Sequence, residues 1–250
     1  MTGASEGKSL MSVSDVAASE SIAHEPRQGY RFERKYHIED FPHQEVEMWV
    51  KRSPALFFEC FPPRYINNIY FDTPSLENYH ENLSGQAART KIRLRWYGDF
   101  LHNSAKPTLE YKIKSGMVGT KDSYKLPPLN LSPGFCFDDL DAYWASGDLP
   151  DQVRQDLKGV IPTMCNRYHR KYYLSADGMY RITIDTQLEF IAIDRFDSQF
   201  HRKRTLENSV VMELKYAGDI STLDERLVNF FPFRVTRMSK YVTGIEMLNA

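Results

Sequence analysis

The chain has little cysteine, no long apolar run and no excess of charge. Its three cysteines, Cys60, Cys136 and Cys165, are widely spaced and odd in number. That argues against a disulfide framework and a Cys-based zinc site, and makes a reducing, cytoplasmic setting the simpler expectation. No apolar stretch approaches the roughly 20 residues that span a bilayer, so no intrinsic membrane span is expected. The N-terminus also lacks the basic-then-apolar order of a secretory signal. The 32 Lys and Arg nearly balance 33 Asp and Glu, for a net charge of −1. Without a global basic field, nucleic acid is not an expected partner, and any anion site must be local. His37, His43, His169 and His201 show no metal-ligand spacing.

What is present suffices for one large domain: 250 residues, 42% hydrophobic and 13% aromatic, can bury a sizeable core. Residues 1–29 are rich in Ser, Ala, Gly and Glu and carry no aromatic residue, the composition of a disordered leader. The folded domain is expected over 30–250. Strands are expected at Tyr30–Ile38, Tyr65–Phe71, Lys91–Tyr97, Thr108–Lys114, Gly119–Leu126, Tyr168–Ser175, Tyr180–Asp185, Leu188–Asp194 and Val210–Tyr216. Helices are expected after Asp40, near Ser75–Asn82, at Asp138–Ser146 and Asp151–Lys158, from Ser221 and Asp224 through Leu227, and near Lys240–Leu248. The proline-framed stretch 127–161 looks like an elaboration packed outside the sheet. The fold class is α+β.

Several strands carry charge at spacing two: Arg93 and Arg95; Glu110, Lys112 and Lys114; Arg181, Thr183 and Asp185; Glu213 and Lys215. In a strand, residues i and i+2 share a face, so each segment sets an ionic stripe against apolar residues such as Leu94, Ile113, Ile182 and Leu214. On an open sheet the stripes would be a solvated face; in a closed barrel they would line the interior. Arg and Lys dominate these stripes although the chain is neutral overall. Forked guanidiniums beside compact ammoniums suit several phosphates in a row, and this favours the interior, polyanion-binding reading.

The motifs Y-R-F-E-R-K-Y-H-I, I-Y-F-D-T, K-I-R-L-R-W-Y, L-E-Y-K-I-K, Y-H-R-K-Y-Y, Y-R-I-T-I-D-T, V-M-E-L-K-Y and S-K-Y-V-T-G follow one another over residues 30–248. In this order they resemble VTC-type (vacuolar transporter chaperone) polyphosphate polymerase domains, within the CYTH or triphosphate tunnel metalloenzyme superfamily. The resemblance implies a closed antiparallel eight-stranded β-barrel, a tunnel, with flanking helices. It implies ATP and inorganic polyphosphate or triphosphate as ligands, with Mn²⁺ or Mg²⁺ as cofactor. By the same resemblance, Lys35, Arg93, Arg95, Lys112, Arg170, Arg181, Lys215 and Lys240 match the phosphate-binding set. Glu213 matches the metal carboxylate, and Glu33 and Glu110 are further acidic candidates by alternation. Arg31 stands where other CYTH members carry the first Glu of Glu-x-Glu-x-Lys, which removes one metal carboxylate.

Alternatives stay open at single residues. Glu110 and Glu213 could be structural ion pairs rather than metal ligands. Arg170 competes with Arg167 and Lys171, because a one-residue slip reverses the face. Lys121 and Lys125 read equally well as solvated, Arg195–Arg204 as an exposed loop, and Asp72 and Thr73 as turn formers. The expected activity is ATP-dependent polyphosphate synthesis. The alternatives are hydrolysis of a triphosphate in the same tunnel and a non-catalytic polyphosphate sensor.

Overall fold

The computed structural model describes residues 31–115, 118–194, 196–217, 227 and 229–249. The leader expected over 1–29, and most of the helix expected after Ser221, lie outside the described residues. Along the chain run β1 (Arg31–Ile38), α1 (His43–Lys51), β2 (Phe58–Asp72), α2 (Glu77–Ser84), β3 (Ala88–Tyr97), β4 (His102–Ala105), β5 (Thr108–Ser115), β6 (Val118–Lys125) and β7 (Leu129–Leu131). There follow α3 (Leu140–Ser146), α4 (Asp151–Lys158), β8 (Ile161–Leu174), β9 (Tyr180–Ala192), β10 (Lys203–Leu206), β11 (Val210–Ala217) and α5 (Lys240–Asn249).

Eight strands form one antiparallel path, β1-β11-β9-β8-β2-β3-β5-β6, with β10 added to β9 and β4-β7 as a separate pair. The expected closed barrel is corrected here: β1 and β6, the two ends of the path, do not pair. The reason lies at the free edge of β1. The segment leading into α5 bridges it, Val235 opposite Tyr36, and the Thr236 amide donates to the Lys35 carbonyl at 2.7 Å. The edge that closure would need is already occupied. The sheet nevertheless curls far enough to bring Lys112 of β5 within range of the charges of Glu33 and Lys35 on β1.

The alternation read from sequence sets the two faces. On the outer face, Ile69, Ile92, Leu94, Trp96 and Leu109 pack against Leu140, Trp144 and Leu157. The 127–161 stretch is thus an outer cover, as expected. A second outer cluster joins Ile182, Ile184, Met212 and Leu214 to Val46 and Val50 of α1. That helix begins at His43 rather than just after Asp40. Pro42 bars the α conformation from the residue before it, so the turn cannot start earlier.

The two strands expected at 180–185 and 188–194 are one strand, β9, with a kink. Gln187 takes φ 54°, and the pairing with β8 slips between Arg167 and His169, as a bulge requires. Beyond the kink the inner face turns apolar, where Met164, Tyr168, Leu188, Phe190 and Val211 receive Tyr241 and Ile245 of α5. Gly244 permits this approach, since a Cβ there would lie 2.6 Å from Met164 and Phe190. Asp72 fixes the junction. Its carboxylate accepts from the amides of Thr73, Asn78 and Tyr79 and from the Tyr241 hydroxyl, the turn role expected of it. Among the described residues no helix is long and apolar enough to cross a membrane.

Candidate functional site

Above the α5 plug, the inner face is ionic. Arg93 donates to Glu110 through Nε at 2.7 Å and Nη2 at 2.5 Å. Arg95 lies 3.6 Å from the same carboxylate and donates to Asn68 at 3.0 Å and to the Tyr168 hydroxyl at 3.4 Å. Lys121 reaches Glu110 from β6 at 2.9 Å. These contacts follow from register, since Arg93 sits opposite Glu110 and Lys112 opposite Lys121. Burial would raise the Glu110 acid, but Arg93, Arg95 and Lys121 outweigh it and hold the pKa near 2. Glu110 therefore adopts the ion-pair arrangement, with its oxygens engaged by three cations.

A second cluster centres on Asp185, which is fully buried. Arg170 grips it with Nε at 2.5 Å and Nη2 at 2.7 Å, and Lys240 of α5 lies 2.6 Å away. The register ambiguity is thereby resolved: Arg170 faces inward. Arg167 lies over the Tyr65 ring, and Lys171 pairs with Glu47 at 2.8 Å. Next along β11, Glu213 lies 3.1 Å from Lys35 and 3.3 Å from Lys215. Burial opposes its ionisation, yet Lys35, Lys215, Lys240 and Arg170 hold its carboxyl well below the usual range. Burial likewise pulls Lys35 down, but Glu213 and Glu33 more than restore it. Arg181 and Lys112 share this face and are exposed, Arg181 in register with Lys215.

Among the described residues, no group of three or more His, Cys, Asp or Glu side chains is placed to hold a metal. Glu33 and Glu213 are the nearest to a fit, because both face the Lys35 ammonium. Two such carboxylates suit a divalent ion of the magnesium kind, which completes its shell with phosphate oxygens and water. The inner face also carries two buried groups without a hydrogen-bond partner, Thr183 Oγ1 and Asn166 Nδ2.

A family model for the VTC domain matches residues 30–249. The chain belongs to the VTC domain family. Subunit 4 of the vacuolar transporter chaperone complex of Trypanosoma cruzi is 29% identical over 162 residues, covering 52% of this chain and 20% of that protein. The aligned half of this chain thus spans about a fifth of that relative's length. A solved Pyrococcus horikoshii protein aligns at TM-score 0.49 and 14% identity, over 87% of this chain and 99% of its own. A Hippeastrum adenylyl cyclase candidate with a dominant triphosphatase activity aligns at 0.48 and 14%, over 86% and 95%.

The VTC domain contains inner-face residues that the sequence reading passed over. Lys91 has the parity of Arg93 and Arg95, and its ammonium donates to Ser239 at 3.0 Å. Burial, then the charges of Lys35, Arg89, Lys112 and Arg93, push it down to about 7. Alternation alone could have found it. Tyr168 could not be found that way: its tie to Arg95 crosses strands, and its phenol is lowered because Arg170 and Arg95 outweigh burial.

Proposed function

We propose that this VTC domain is a polyphosphate polymerase that transfers the γ-phosphoryl group of ATP to a polyphosphate chain. The observation that carries this reading is the convergence of cations from β1, β3, β5, β8, β11 and α5 on one inward face. Membership of the VTC family, and the Trypanosoma relative's place in a vacuolar transporter chaperone complex, support it.

Phosphoryl transfer asks little covalent chemistry of a protein; it asks for alignment and for positive charge around the moving group. A terminal oxygen of the chain attacks the γ-phosphorus, the bond from that phosphorus to the β,γ-bridging oxygen breaks, and ADP leaves with the electron pair. Lys35, Arg170 and Lys215 hold the substrate phosphates. Arg93, Arg95, Lys112, Arg181 and Lys240 surround the charge that develops. Their carboxylate partners fix them before substrate arrives, so little reorganisation is needed during reaction. Glu110 keeps Arg93 and Arg95 aimed. Glu213 and Glu33 would hold Mn²⁺ or Mg²⁺ together with the nucleotide phosphates, and the ion would withdraw charge from the phosphate oxygens. A cytoplasmic setting, with ATP at hand and its thiols reduced, suits this activity.

The test is to incubate the protein with ATP, Mn²⁺ or Mg²⁺ and a pyrophosphate primer, then resolve products on a polyphosphate gel while quantifying ADP and free phosphate. Long chains that disappear in Arg93→Ala are expected. Free phosphate without chains would make it a hydrolase, and polyphosphate binding without turnover would make it a sensor.

A further inference from the structure

The basic stripe of β3 does not end in a charge. It runs Lys91, Arg93, Arg95 and then Tyr97, all on one face, so the tyrosine lies about 7 Å beyond Arg95 along the strand. Tyr97 is 40% exposed. The same substitution of ring for charge occurs on β8, where Arg170 is followed two residues later by Tyr172. Arg64 of β2, opposite Arg170 in the register, joins the two rings. Its guanidinium carbon lies 4.0 Å from the Tyr97 ring centre and 5.1 Å from that of Tyr172, and its Nε donates to the Tyr172 hydroxyl at 3.0 Å.

We propose that Tyr97, Arg64 and Tyr172 form a stacking subsite for the planar base of the nucleoside triphosphate whose phosphates lie on Arg95 and Arg170. The inference rests on the polymerase reading and gives it a place for the nucleoside. Its physical case has three parts. First, the groups of a stacking site are gathered: one guanidinium lies against two aromatic rings, the combination on which bases stack irrespective of hydrogen-bond pattern. Second, the site is continuous with the cations, because each tyrosine follows a phosphate-facing arginine at spacing two on its own strand. A ligand with one aromatic end and one polyanionic end matches that sequence of surfaces. A bare phosphate chain does not, since it has nothing to set on a ring. Third, a hydrogen-bonding group lies beside the site. Thr183 is the register neighbour of Tyr172 on one side and of Glu213 on the other, and its hydroxyl is buried without a partner. It sits between the aromatic end and Glu213, the carboxylate assigned to the metal at the phosphates, where the sugar of a nucleotide would pass.

Stacking is tolerant of base identity, so the subsite should accept purine nucleotides generally rather than select ATP by edge contacts. It separates nucleotide from product: the donor carries a base, and the growing chain does not. The donor end of the face is thereby distinguished from the acceptor end, toward Lys91.

The test compares two probes on the full chain by titration calorimetry: ATP, which has the base, and inorganic tripolyphosphate, which does not. Tyr97→Ala should bind ATP roughly tenfold more weakly, the scale of one lost base stack, and bind tripolyphosphate as the wild type does. Tyr97→Phe should keep ATP affinity. Unchanged tripolyphosphate binding also shows that the variant is folded. Equal weakening of both ligands, or no change in either, overturns the subsite and leaves the polyanion face standing. Wild-type protein that binds neither probe overturns the polymerase reading and the subsite together.

Discussion

Asp185 holds Arg170 with both carboxylate oxygens, at 2.5 and 2.7 Å, and the same carboxylate takes the Lys240 ammonium at 2.6 Å. One buried anion therefore ties β8, β9 and α5 together and holds two inward cations on a single carboxylate. A carboxylate in such a place is held ionised, burial being outweighed by Arg170 and Lys240. Asp185→Asn removes the carboxylate in contact with both cations and leaves them only the more distant charge of Glu213. Breaking one partner out of a buried pair costs about 3–5 kcal/mol, and a loss of that size is expected in urea denaturation. Tripolyphosphate should recover part of it, because a ligand that binds only the folded state adds stability by mass action. A variant as stable as the wild type would refute the assigned role of Asp185.

Lys91 should take up a proton when a polyanion binds. In the free protein its pKa is near 7, lowered by burial and by Lys35, Arg89, Lys112 and Arg93, with Ser239 as its hydrogen-bond partner. Near pH 8 it is mostly neutral, and phosphate charge nearby favours the ammonium. Calorimetry of tripolyphosphate binding in buffers of different ionisation heat should show net uptake at pH 8, less at pH 6, and a smaller pH 8 value in Lys91→Met. The stability linkage has a definite sign. Between about pH 7 and the unfolded lysine value of about 10.4, the unfolded chain binds the extra proton, so the Lys91 contribution to stability rises with pH.

Glu110 governs the acid limb. Its folded pKa near 2, where burial is outweighed by Arg93, Arg95 and Lys121, lies below the unfolded glutamate value of about 4.3. Its stabilising contribution is complete above that unfolded value and is lost as pH falls toward 2. Denaturation midpoints between pH 5 and 2 should fall less steeply in Glu110→Gln than in the wild type. Parallel profiles would mean that the Arg93 contact contributes nothing net.

The inward stripe was legible in sequence because a strand's period is two and because its apolar partners, Leu94, Ile182 and Leu214, alternate with it without a break. Helices α3, α4 and α5 were legible from proline framing and apolar spacing. Barrel closure was not, since it depends on whether the edge of β1 is free. That edge is taken by Val235 and Thr236, two β-branched residues in a stretch too short, just after Pro232, to mark a strand by periodicity. The partnership of Glu110 with Lys121 was hidden for a related reason: it depends on which strand follows β5 and in what register, a long-range fact. Tyr97 read as the end of a strand, and only the placement of Arg64 and Tyr172 beside it gives it a candidate role.

Gly244 should be intolerant of even a methyl group. In an exposed helix, Gly to Ala gains up to about 1 kcal/mol of helix propensity, and α5 would benefit from that gain if nothing opposed it. Here a Cβ at 244 would meet the Met164 side chain and the Phe190 ring, each at 2.6 Å. Met164 ends in a flexible thioether and can swing aside. Phe190 is fully buried against Met164, Leu188 and Tyr241 and has no such freedom, so α5 itself must move outward. Overpacking of this kind costs about 1–3 kcal/mol, which outweighs the propensity gain. The shift also reaches the charged face, because Lys240 and Ser239 at the start of α5 contact Asp185 and Lys91. Gly244→Ala is therefore expected to lower the melting temperature and weaken tripolyphosphate binding together. A higher melting temperature with unchanged binding would show that propensity wins and that α5 is not seated as tightly as the Phe190 contact requires.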